Sequence, residues 1–239
     1  DVHPRLNRGA TRIAFASNRY GNYDIFTMNL DGSGLVRLTD SQKDDVYPAW
    51  SPDGSRIAFQ AYRNGQAEIY VMNADGSGET RRTNYTDYDA QPAWSPDGSQ
   101  IAFVRRSGGM IRIWAMGADG ANPHQVSYHP SSENPAWSLA GLAYDADSNS
   151  DGWQELWLTG AFSQFYAPSQ PMTDAWMGSW SPERRYIAHT TISWIYDSGQ
   201  WYWTTAYIDA HDANGTGFRL SASGDDWNPD WQSTDVEAP

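Results

Sequence analysis

An acidic stretch near the middle of the chain has the residue types of a calcium loop. From Asp147 it reads Asp-x-Asn-x-Asp-Gly-x-x-Glu, so that oxygen-bearing side chains alternate before a glycine and a further acid at position nine. Calcium takes about six to eight oxygen ligands, and the glycine permits a sharp turn. Because this much negative charge in one loop is repulsive without a cation, we predict a structural Ca²⁺. The alternative is a solvated acidic turn, since Asp, Ser and Asn favour turns.

A second candidate site is an aromatic segment closer to the C-terminus. On both sides of Ser198-Gly199 aromatic residues occupy every second position, which predicts two paired strands and a hairpin turn at Ser198-Gly199. That turn pairs Tyr196 with Trp201 and Trp194 with Trp203, and the period of two places all four on one face. Aromatic residues dominate interaction hot spots and can stack on sugar rings, so we predict a docking surface for a partner or ligand. The alternative is a cluster that only stiffens the hairpin or packs on a neighbouring blade.

The sequence shows no catalytic arrangement. The chain has no Gly-x-Ser-x-Gly elbow and no phosphate-binding glycine loop. The absence of cysteine excludes thiolate catalysis and Cys-ligated metals. Five histidines are present, without metal-ligand spacing: His3, His124, His129, His189 and His211. Acidic pairs for glycoside hydrolysis stay open among the 29 Asp and Glu, but we expect no enzyme.

The elements that must position these residues follow an internal repeat of about 44 residues. Each unit has a Pro-Ala-Trp-like segment, then an Ile-Ala-Phe-like segment, then an Ile-Tyr-Val-Met-like segment and a short fourth one. Four short strands per unit of this length are typical of a β-propeller blade. We therefore predict an all-β fold, a five-bladed β-propeller of four-stranded antiparallel blades. The motif tryptophans, read as core, are spaced by 44, 43 and 43 residues: Trp50, Trp94, Trp137 and Trp180.

The repeats also set the predicted domain bounds. A single propeller spans 1–231, and 232–239 is a tail or linker. Two segments compete for the innermost strand of the first blade, 1–6 and the extra strand 226–231, which matches the motif better. The unused one is either a tail or an addition to the edge of a neighbouring subunit. The predicted repeats lie at about 1–44, 45–88, 89–131, 132–174 and 175–225.

These repeats resemble the TolB-type β-propeller family, whose blades read Asp-x-x-Pro-x-Trp-Ser-Pro-Asp-Gly before an Ile-Ala-Phe strand. Residues 45–54 and 89–98 match that pattern residue for residue. The resemblance implies the fold and little about function, because this repeat serves binding proteins, peptidase gates and polysaccharide lyases alike. The family's namesake has six blades and a separate α/β domain, whereas this sequence predicts five blades and no such domain.

The acidic loop after Asp147 and the third strand of the fifth repeat both depart from the regular repeat. The acidic loop resembles the calcium-binding hairpins of integrin-type propeller blades, which also lie between adjacent strands. In the fifth repeat, aligning the third strand places Tyr207 at the position of the core residues Trp114 and Trp157. The integrin-type resemblance implies these calcium ligands: Asp147, Asn149, Asp151, the carbonyl of Trp153, and Glu155.

The amino-acid composition limits the classes of partner that the chain is expected to bind. The 16 Lys+Arg against 29 Asp+Glu give a net charge of −13, which argues against binding nucleic acid phosphates. Lys43 is the only lysine, and no apolar run approaches the roughly 20 residues of a membrane-spanning helix. Because the chain starts at Asp1 rather than Met, we expect that a leader has been removed and that the protein is secreted or at the cell surface, bacterial and extracytoplasmic.

Together these features predict a non-catalytic extracellular propeller that binds a protein partner or assembles with copies of itself. The alternative is a lectin-like carbohydrate-binding module that stacks sugar rings on tryptophan and uses calcium to order a loop. A polysaccharide lyase or glycoside hydrolase on the same fold is the least favoured function. Neither nucleic acid binding nor membrane insertion is expected.

Overall fold

The computed structural model describes residues 1–63, 65–129, 131–137, 141–147, 155–159, 175–180, 186–197, 200–212 and 217–219; from residue 175 onward it describes the strands and their pairing. The chain divides into two compact units, Asp1–Tyr128 and His129–Pro239. All elements in the described ranges are β-strands, and no helix there could span a membrane.

The first unit contains three four-stranded antiparallel sheets, each built from strands that are consecutive in the chain. The fourth strand of each sheet is only two residues long, so each outer edge is short. Short edge strands limit unwanted strand addition. The strands are β1 Val2–Leu6, β2 Arg12–Ser17, β3 Asp24–Asn29, β4 Val36–Arg37, β5 Asp45–Trp50, β6 Arg56–Arg63, β7 Gln66–Asn73, β8 Thr80–Arg81, β9 Tyr88–Trp94, β10 Gln100–Ser107, β11 Met110–Gly117 and β12 His124–Gln125.

The second unit contains seven described strands. Three strands pair in chain order, and a further four form an antiparallel sheet, again in chain order. The all-β architecture and the four-stranded antiparallel sheets agree with the predicted propeller blades. The strands are β13 Ser131–Trp137, β14 Leu142–Asp147, β15 Glu155–Leu158, β16 Ala175–Trp180, β17 Tyr186–Asp197, β18 Gln200–Asp212 and β19 Gly217–Arg219.

The Ser-Pro-Asp-Gly turns join the first strand of a sheet to the second. Gly54 has a φ of 71° and its N–H donates to the Ser51 carbonyl at 2.9 Å. The Asp53 carboxylate accepts from the Ser51 hydroxyl at 2.6 Å and from the Ser55 N–H at 3.1 Å. These hydrogen bonds, that of Ser51 foremost, lower the pKa of Asp53 to about 2. The side chains of the turn thus close it by hydrogen bonds.

In the first unit, tryptophans of the repeat motif form hydrogen bonds to the preceding sheet. The indole Nε1 of Trp50 donates to the Arg5 carbonyl oxygen at 3.2 Å, and that of Trp94 donates to the Ala49 carbonyl oxygen at 3.1 Å. Both rings are buried, and the guanidinium of Arg56 lies 4.6 Å from the ring centre of Trp94. The prediction that these two tryptophans belong to the core is confirmed.

Four innermost strands, β1, β5, β9 and β13, have a bulge at their proline. The residue before the proline has a positive φ, and two residues of the strand oppose one residue of its neighbour. Non-glycine residues adopt this left-handed region at a cost, so the surrounding packing must hold them there. The residues are His3, Tyr47, Gln91 and Asn134, with φ between 50° and 52°.

Candidate functional site

The aromatic segment forms the long hairpin of β17 and β18. These strands have 12 and 13 residues, whereas the second and third strands of the first three sheets have six to eight. Trp194 is paired with Trp203, and Tyr196 with Trp201, which confirms the predicted pairing. Residues paired across an antiparallel ladder share a face, as do residues two apart along a strand. The register therefore places all four positions on one face of the hairpin.

The predicted alignment of the third strand in this sheet is wrong. In the second sheet Phe59 pairs with Tyr70, and the equivalent residue His189 pairs with Asp209. Tyr207 instead pairs with Thr191, two residues farther along the hairpin. A bulge accounts for one of these two residues, because Ser193 pairs with Thr205 while Trp194 pairs with Trp203, so that one residue of β18 has no partner in the ladder. The register of the hairpin turn, set by the pair Asp197–Gln200, accounts for the other. Position Tyr207 is consequently not equivalent to Trp114 or Trp157.

The predicted calcium loop is only partly within the described residues. Asp147 is the last residue of β14 and Glu155 is the first of β15, so the two proposed ligands flank the loop that joins paired strands. Glu155 pairs with Ala146, next to Asp147. Asn149, Asp151 and Trp153 lie outside the described residues. Among the residues that are described, no three His, Asp or Glu form a group that could hold a metal ion.

The buried carboxylates of the first unit each contact an arginine. Four are fully buried, and a carboxylate in such a place is stable only when it is paired and hydrogen-bonded. Burial, which outweighs the nearby Arg63, raises the pKa of Asp45 to about 6. These acids therefore act in the packing of the sheets. The pairs are Asp24 with Arg37 (2.7 Å), Asp45 with Arg63 (3.0 Å), Glu68 with Arg81, and Asp89 with Arg105 (2.7 Å).

The histidines belong to different strands or loops of the chain. The ring of His3 stacks on Tyr47 with a centroid distance of 3.6 Å, and burial lowers the pKa of His3 to about 4, with a contribution from the charge of Arg5. His129 packs against Trp157 at 4.1 Å in the second unit. His124 lies at the surface on β12. His189 and His211 are strand residues of β17 and β18.

One polar cluster was missed by sequence reasoning. Gln60 is 1% exposed, and its Nε2 donates to the Tyr88 hydroxyl at 3.0 Å. The hydroxyls of Tyr62 and Tyr88 are 2.5 Å apart, and burial, together with this hydrogen bond, raises the pKa of Tyr62. The signal in the sequence was Gln60 itself, which stands where the neighbouring repeats have Ala16 and Val104. The cluster joins the second sheet to the third at the start of β9.

Comparisons with solved structures agree with this architecture. TolB from Acinetobacter baumannii superposes with a TM-score of 0.69 at 18% identity, over 94% of this chain and 55% of that one. Oligogalacturonate lyase from Vibrio parahaemolyticus gives 0.63 at 13% identity, over 90% and 63%. A puromycin-hydrolyzing peptidase from Mycobacterium tuberculosis gives 0.65 at 14% identity, over 92% and 36%. The chain thus spans less than two thirds of each of these proteins, and at such identities the likeness concerns the fold alone.

The sequence comparisons give the family. No curated protein sequence matches the chain significantly. The family model for the TolB beta propeller domain matches residues 2–184, which is more than half of the chain. This match covers the Asp-x-x-Pro-x-Trp-Ser-Pro-Asp-Gly motifs and the sheets built from them. The chain belongs to the TolB β-propeller domain family.

Proposed function

We propose that this chain is a five-bladed β-propeller that acts as a non-catalytic extracytoplasmic scaffold, binding a protein partner or copies of itself. The observation that carries the proposal is the hairpin of β17 and β18, whose strands have 12 and 13 residues, whereas the equivalent strands of the second sheet have eight each. Its two cross-strand aromatic pairs provide the docking surface: Trp194, Tyr196, Trp201 and Trp203.

The length of the hairpin is the first support. In the second sheet the ladder of β6 and β7 has eight pairs and ends with the pair Arg63–Gln66. The ladder of β17 and β18 has twelve pairs and ends at Asp197–Gln200. It is therefore four pairs longer than the ladders β6–β7 and β10–β11. Within the described strands, β16 pairs with β17 only as far as Thr191, and β19 pairs with β18 only as far as Asp209. The remaining part of the hairpin would be available to another molecule.

The residue types are the second support. Trp and Tyr are enriched at binding hot spots because each presents a large apolar area and loses little rotamer entropy on binding. One Trp–Trp pair and one Tyr–Trp pair across the strands would also hold the hairpin rigid before a partner arrives, which would lower the entropic cost of association. Charged residues, which are disfavoured at interface cores, are absent from the segment 190–196 and from 200–208.

The buried carboxylates of the first unit support the proposal that the scaffold is non-catalytic. A general acid or nucleophile must reach the substrate, whereas the four buried acids there are held by arginine side chains. Five repeats of blade length support the blade number. Calcium bound by the loop after Asp147 would order that part of the chain without taking part in a reaction.

The test is the double variant W201A/W203A. Size-exclusion chromatography with light scattering measures the mass of the wild type, which self-assembly would raise several-fold above 26.7 kDa. The double variant should then be monomeric, with an unchanged thermal melt. The matched control is Tyr128→Ala, which removes an aromatic side chain that is 78% exposed elsewhere on the surface. Unfolding of the double variant would mean that these tryptophans are core residues.

The lectin-like alternative makes a different prediction for the same variant. A wild type that is monomeric with and without calcium leaves the aromatic face free for a foreign ligand. Binding to a glycan array that is lost in W201A/W203A and kept in the Tyr128→Ala control would then establish carbohydrate recognition. An assembled wild type whose mass is unchanged in the double variant would overturn the docking surface itself.

A further inference from the structure

The edge of β17 that faces β16 continues past the end of that strand. β16 pairs with β17 from Ile187 to Thr191, where its partner is Ala175, whereas β17 itself extends to Asp197. Among the described strands, residues 192–196 therefore have β18 as their neighbour on one side and no neighbour on the other. Because each of these residues carries a backbone N–H and a C=O, such an edge can accept a further strand.

This edge, called the β17 edge below, lacks the features that protect other edges of the chain. The outer strands of the first three sheets are only two residues long. On β18, one residue between Trp203 and Thr205 has no partner, and such a bulge disturbs pairing with a new strand. The β17 edge reads Ile-Ser-Trp-Ile-Tyr, without proline, glycine or charge, and β-branched and aromatic residues favour strands.

The end of the hairpin determines which backbone groups of β17 point outward. Asp197 and Gln200 form the last pair of the ladder, and two residues separate them. In a hairpin with a two-residue loop this pair exchanges hydrogen bonds, and bonded and non-bonded pairs alternate from there. The alternation continues along β17, because the extra residue of the bulge belongs to β18. The backbone groups that point away from β18 are thus those of Ile192, Trp194 and Tyr196.

We propose that the β17 edge binds the same edge of a second copy of this chain, so that the two hairpins form one antiparallel sheet about a two-fold axis at Trp194. Trp194 then lies opposite its own equivalent, and Ile192 lies opposite Tyr196 of the second copy. All three outward-pointing residues are paired in this register. The proposal rests on the proposed self-assembly through this hairpin, for which it gives the partner and the geometry.

Other registers use the outward groups less completely. If the axis moves by one residue toward the start of β17, Tyr196 lies opposite Thr190 of the second copy, and Thr190 is already paired with Trp176. If the axis moves by one residue in the other direction, Ile192 lies opposite Ser198, which is beyond the end of β17. The axis at Trp194 is therefore the register that pairs every outward group of the edge.

Charge and symmetry favour a second copy as the partner. Asp197 is the nearest acid, and in this register it lies opposite the uncharged Thr191 of the second copy, although the chain has a net charge of −13. A two-fold contact is self-complementary and closes as a dimer. Rotation about an axis perpendicular to the sheet keeps the four aromatic positions of both copies on one face. The pairing therefore doubles the docking surface.

The absence of cysteine permits a test with single-cysteine variants of the full chain. Ser193 lies opposite Ile195 of the second copy, in a pair without backbone hydrogen bonds, where Cα atoms about 4.5 Å apart allow a disulfide. Two copies of Ser193 are displaced by about 7 Å along the strands, which is too far. Both positions alternate with Trp194 and Tyr196, so the cysteines replace no residue of the aromatic face.

A mixture of Ser193→Cys and Ile195→Cys should form a covalent dimer under mild oxidation, whereas either variant alone should form little. The mass of the non-reduced protein measures the yield. A mixture of Tyr128→Cys and Ile195→Cys is the control for random collision, because Tyr128 is 78% exposed. The proposal is overturned if the yield of the first mixture only equals this background. It is also overturned if Ser193→Cys alone dimerises as well as the mixture does.

A second measurement requires no cross-linking. Ile192→Pro removes an N–H that the ladder with β18 does not use, so the hairpin should persist while each copy loses one intermolecular hydrogen bond. Sedimentation should show the dissociation constant of the dimer rising roughly tenfold or more. The matched control is Ile192→Ala, which keeps the N–H and should change that constant much less. Equal constants for the two variants would contradict pairing through the backbone.

The outcomes separate this geometry from the proposed function. The wild type should have a mass of twice 26.7 kDa by light scattering. If it assembles and W201A/W203A is monomeric, but the mixed cysteine variants do not cross-link, the edge pairing is overturned and the aromatic docking surface stands. A wild type that is monomeric at every concentration also overturns the edge pairing, and the scaffold is then left with a foreign partner.

Discussion

Arg105 holds Asp89 with two hydrogen bonds of 2.7 Å, from Nε to Oδ1 and from Nη2 to Oδ2, and neither side chain is more than 3% exposed. The guanidinium also lies 4.0 Å from the ring centre of Tyr85 and 4.6 Å from that of Trp114. This fork-like contact satisfies both carboxylate oxygens in a place that water does not reach.

Arg105→Ala should lower the free energy of unfolding by about 3–5 kcal/mol, because it leaves Asp89 charged, buried and unpaired. Urea denaturation measures the loss. Arg105→Lys should recover only part of it, since an ammonium cannot make the bidentate contact. The double variant D89N/R105A removes the buried charge as well, so it should be more stable than Arg105→Ala alone. If the double variant is the less stable one, the unpaired charge is not the cause.

Asp45 should make stability depend on pH between about 4 and 6. Its pKa in the folded protein, about 6, is above the ordinary value of 3.8, so the folded state binds the proton more tightly than the unfolded state does. The stability that this contributes is present below about pH 4 and is lost as the pH rises through about 6. Asp45→Asn lacks this term. Unfolding free energies from pH 4 to 7 should therefore show the wild type losing stability relative to the variant.

The reverse sign is expected for Asp53. Its pKa is lowered to about 2, so its contribution is present above about pH 4 and is lost as the pH falls toward 2. Asp53→Asn serves as the control for the Asp45 experiment, because it should leave the slope between pH 4 and 6 unchanged. A difference between wild type and Asp45→Asn that stays constant over that range would contradict the raised pKa.

Two equivalent glycines separate backbone strain from contact between sheets. Gly32 and Gly76 have φ values of 82° and 87°. A Cβ at Gly32 would meet nothing within 4 Å, whereas one at Gly76 would lie 2.9 Å from the Leu38 carbonyl oxygen of the preceding sheet. Gly32→Ala should cost about 1–2 kcal/mol from the left-handed backbone alone. Gly76→Ala should cost about 1–3 kcal/mol more through overpacking, and equal urea midpoints would show that the sheets separate easily there.

Calcium should raise the melting temperature if the acidic loop binds it. The comparison is a thermal melt with chelator and with millimolar CaCl₂, for the wild type and for Asp151→Asn. Binding to the folded state alone stabilises it by mass action, and the variant should lose most of the shift because it removes one carboxylate. The same melting temperature in both conditions for the wild type would leave a solvated acidic turn as the explanation.

Much of the architecture could be predicted because the same sequence pattern occurs in several repeats. The Ser-Pro-Asp-Gly turns, the buried motif tryptophans and the pairing of Trp194 with Trp203 all follow from local spacing. The positive φ of Tyr47 and Gln91 could not, since a residue before proline is normally extended. The packing of the bulge overrides that local preference. The bulge in β18 likewise leaves no composition signal, and it accounts for one of the two residues by which the position of Tyr207 was wrong.

The arginines that pair with the buried aspartates also could not be identified from the sequence. Arg63 follows the core residue Phe59 by four positions, while Arg105 follows Phe103 by two, yet both reach the first aspartate of their sheet. A long side chain can cover the difference, so spacing alone does not identify the partner. Gln60 was visible as a polar residue at an apolar position, but its tyrosine partners become neighbours only when two sheets pack.

The indole hydrogen bonds between sheets join a side chain to a backbone. Trp50 supplies a specific donor, but the acceptor is a main-chain carbonyl, offered by Arg5 in one case and by Ala49 in the other. The acceptor position is therefore free to change its side chain without breaking the joint. A duplicated repeat inserted beside an existing one would find a usable acceptor at once, whatever residue stood there. A further copy of the repeat that brings its own tryptophan can therefore form the same hydrogen bond to the sheet before it.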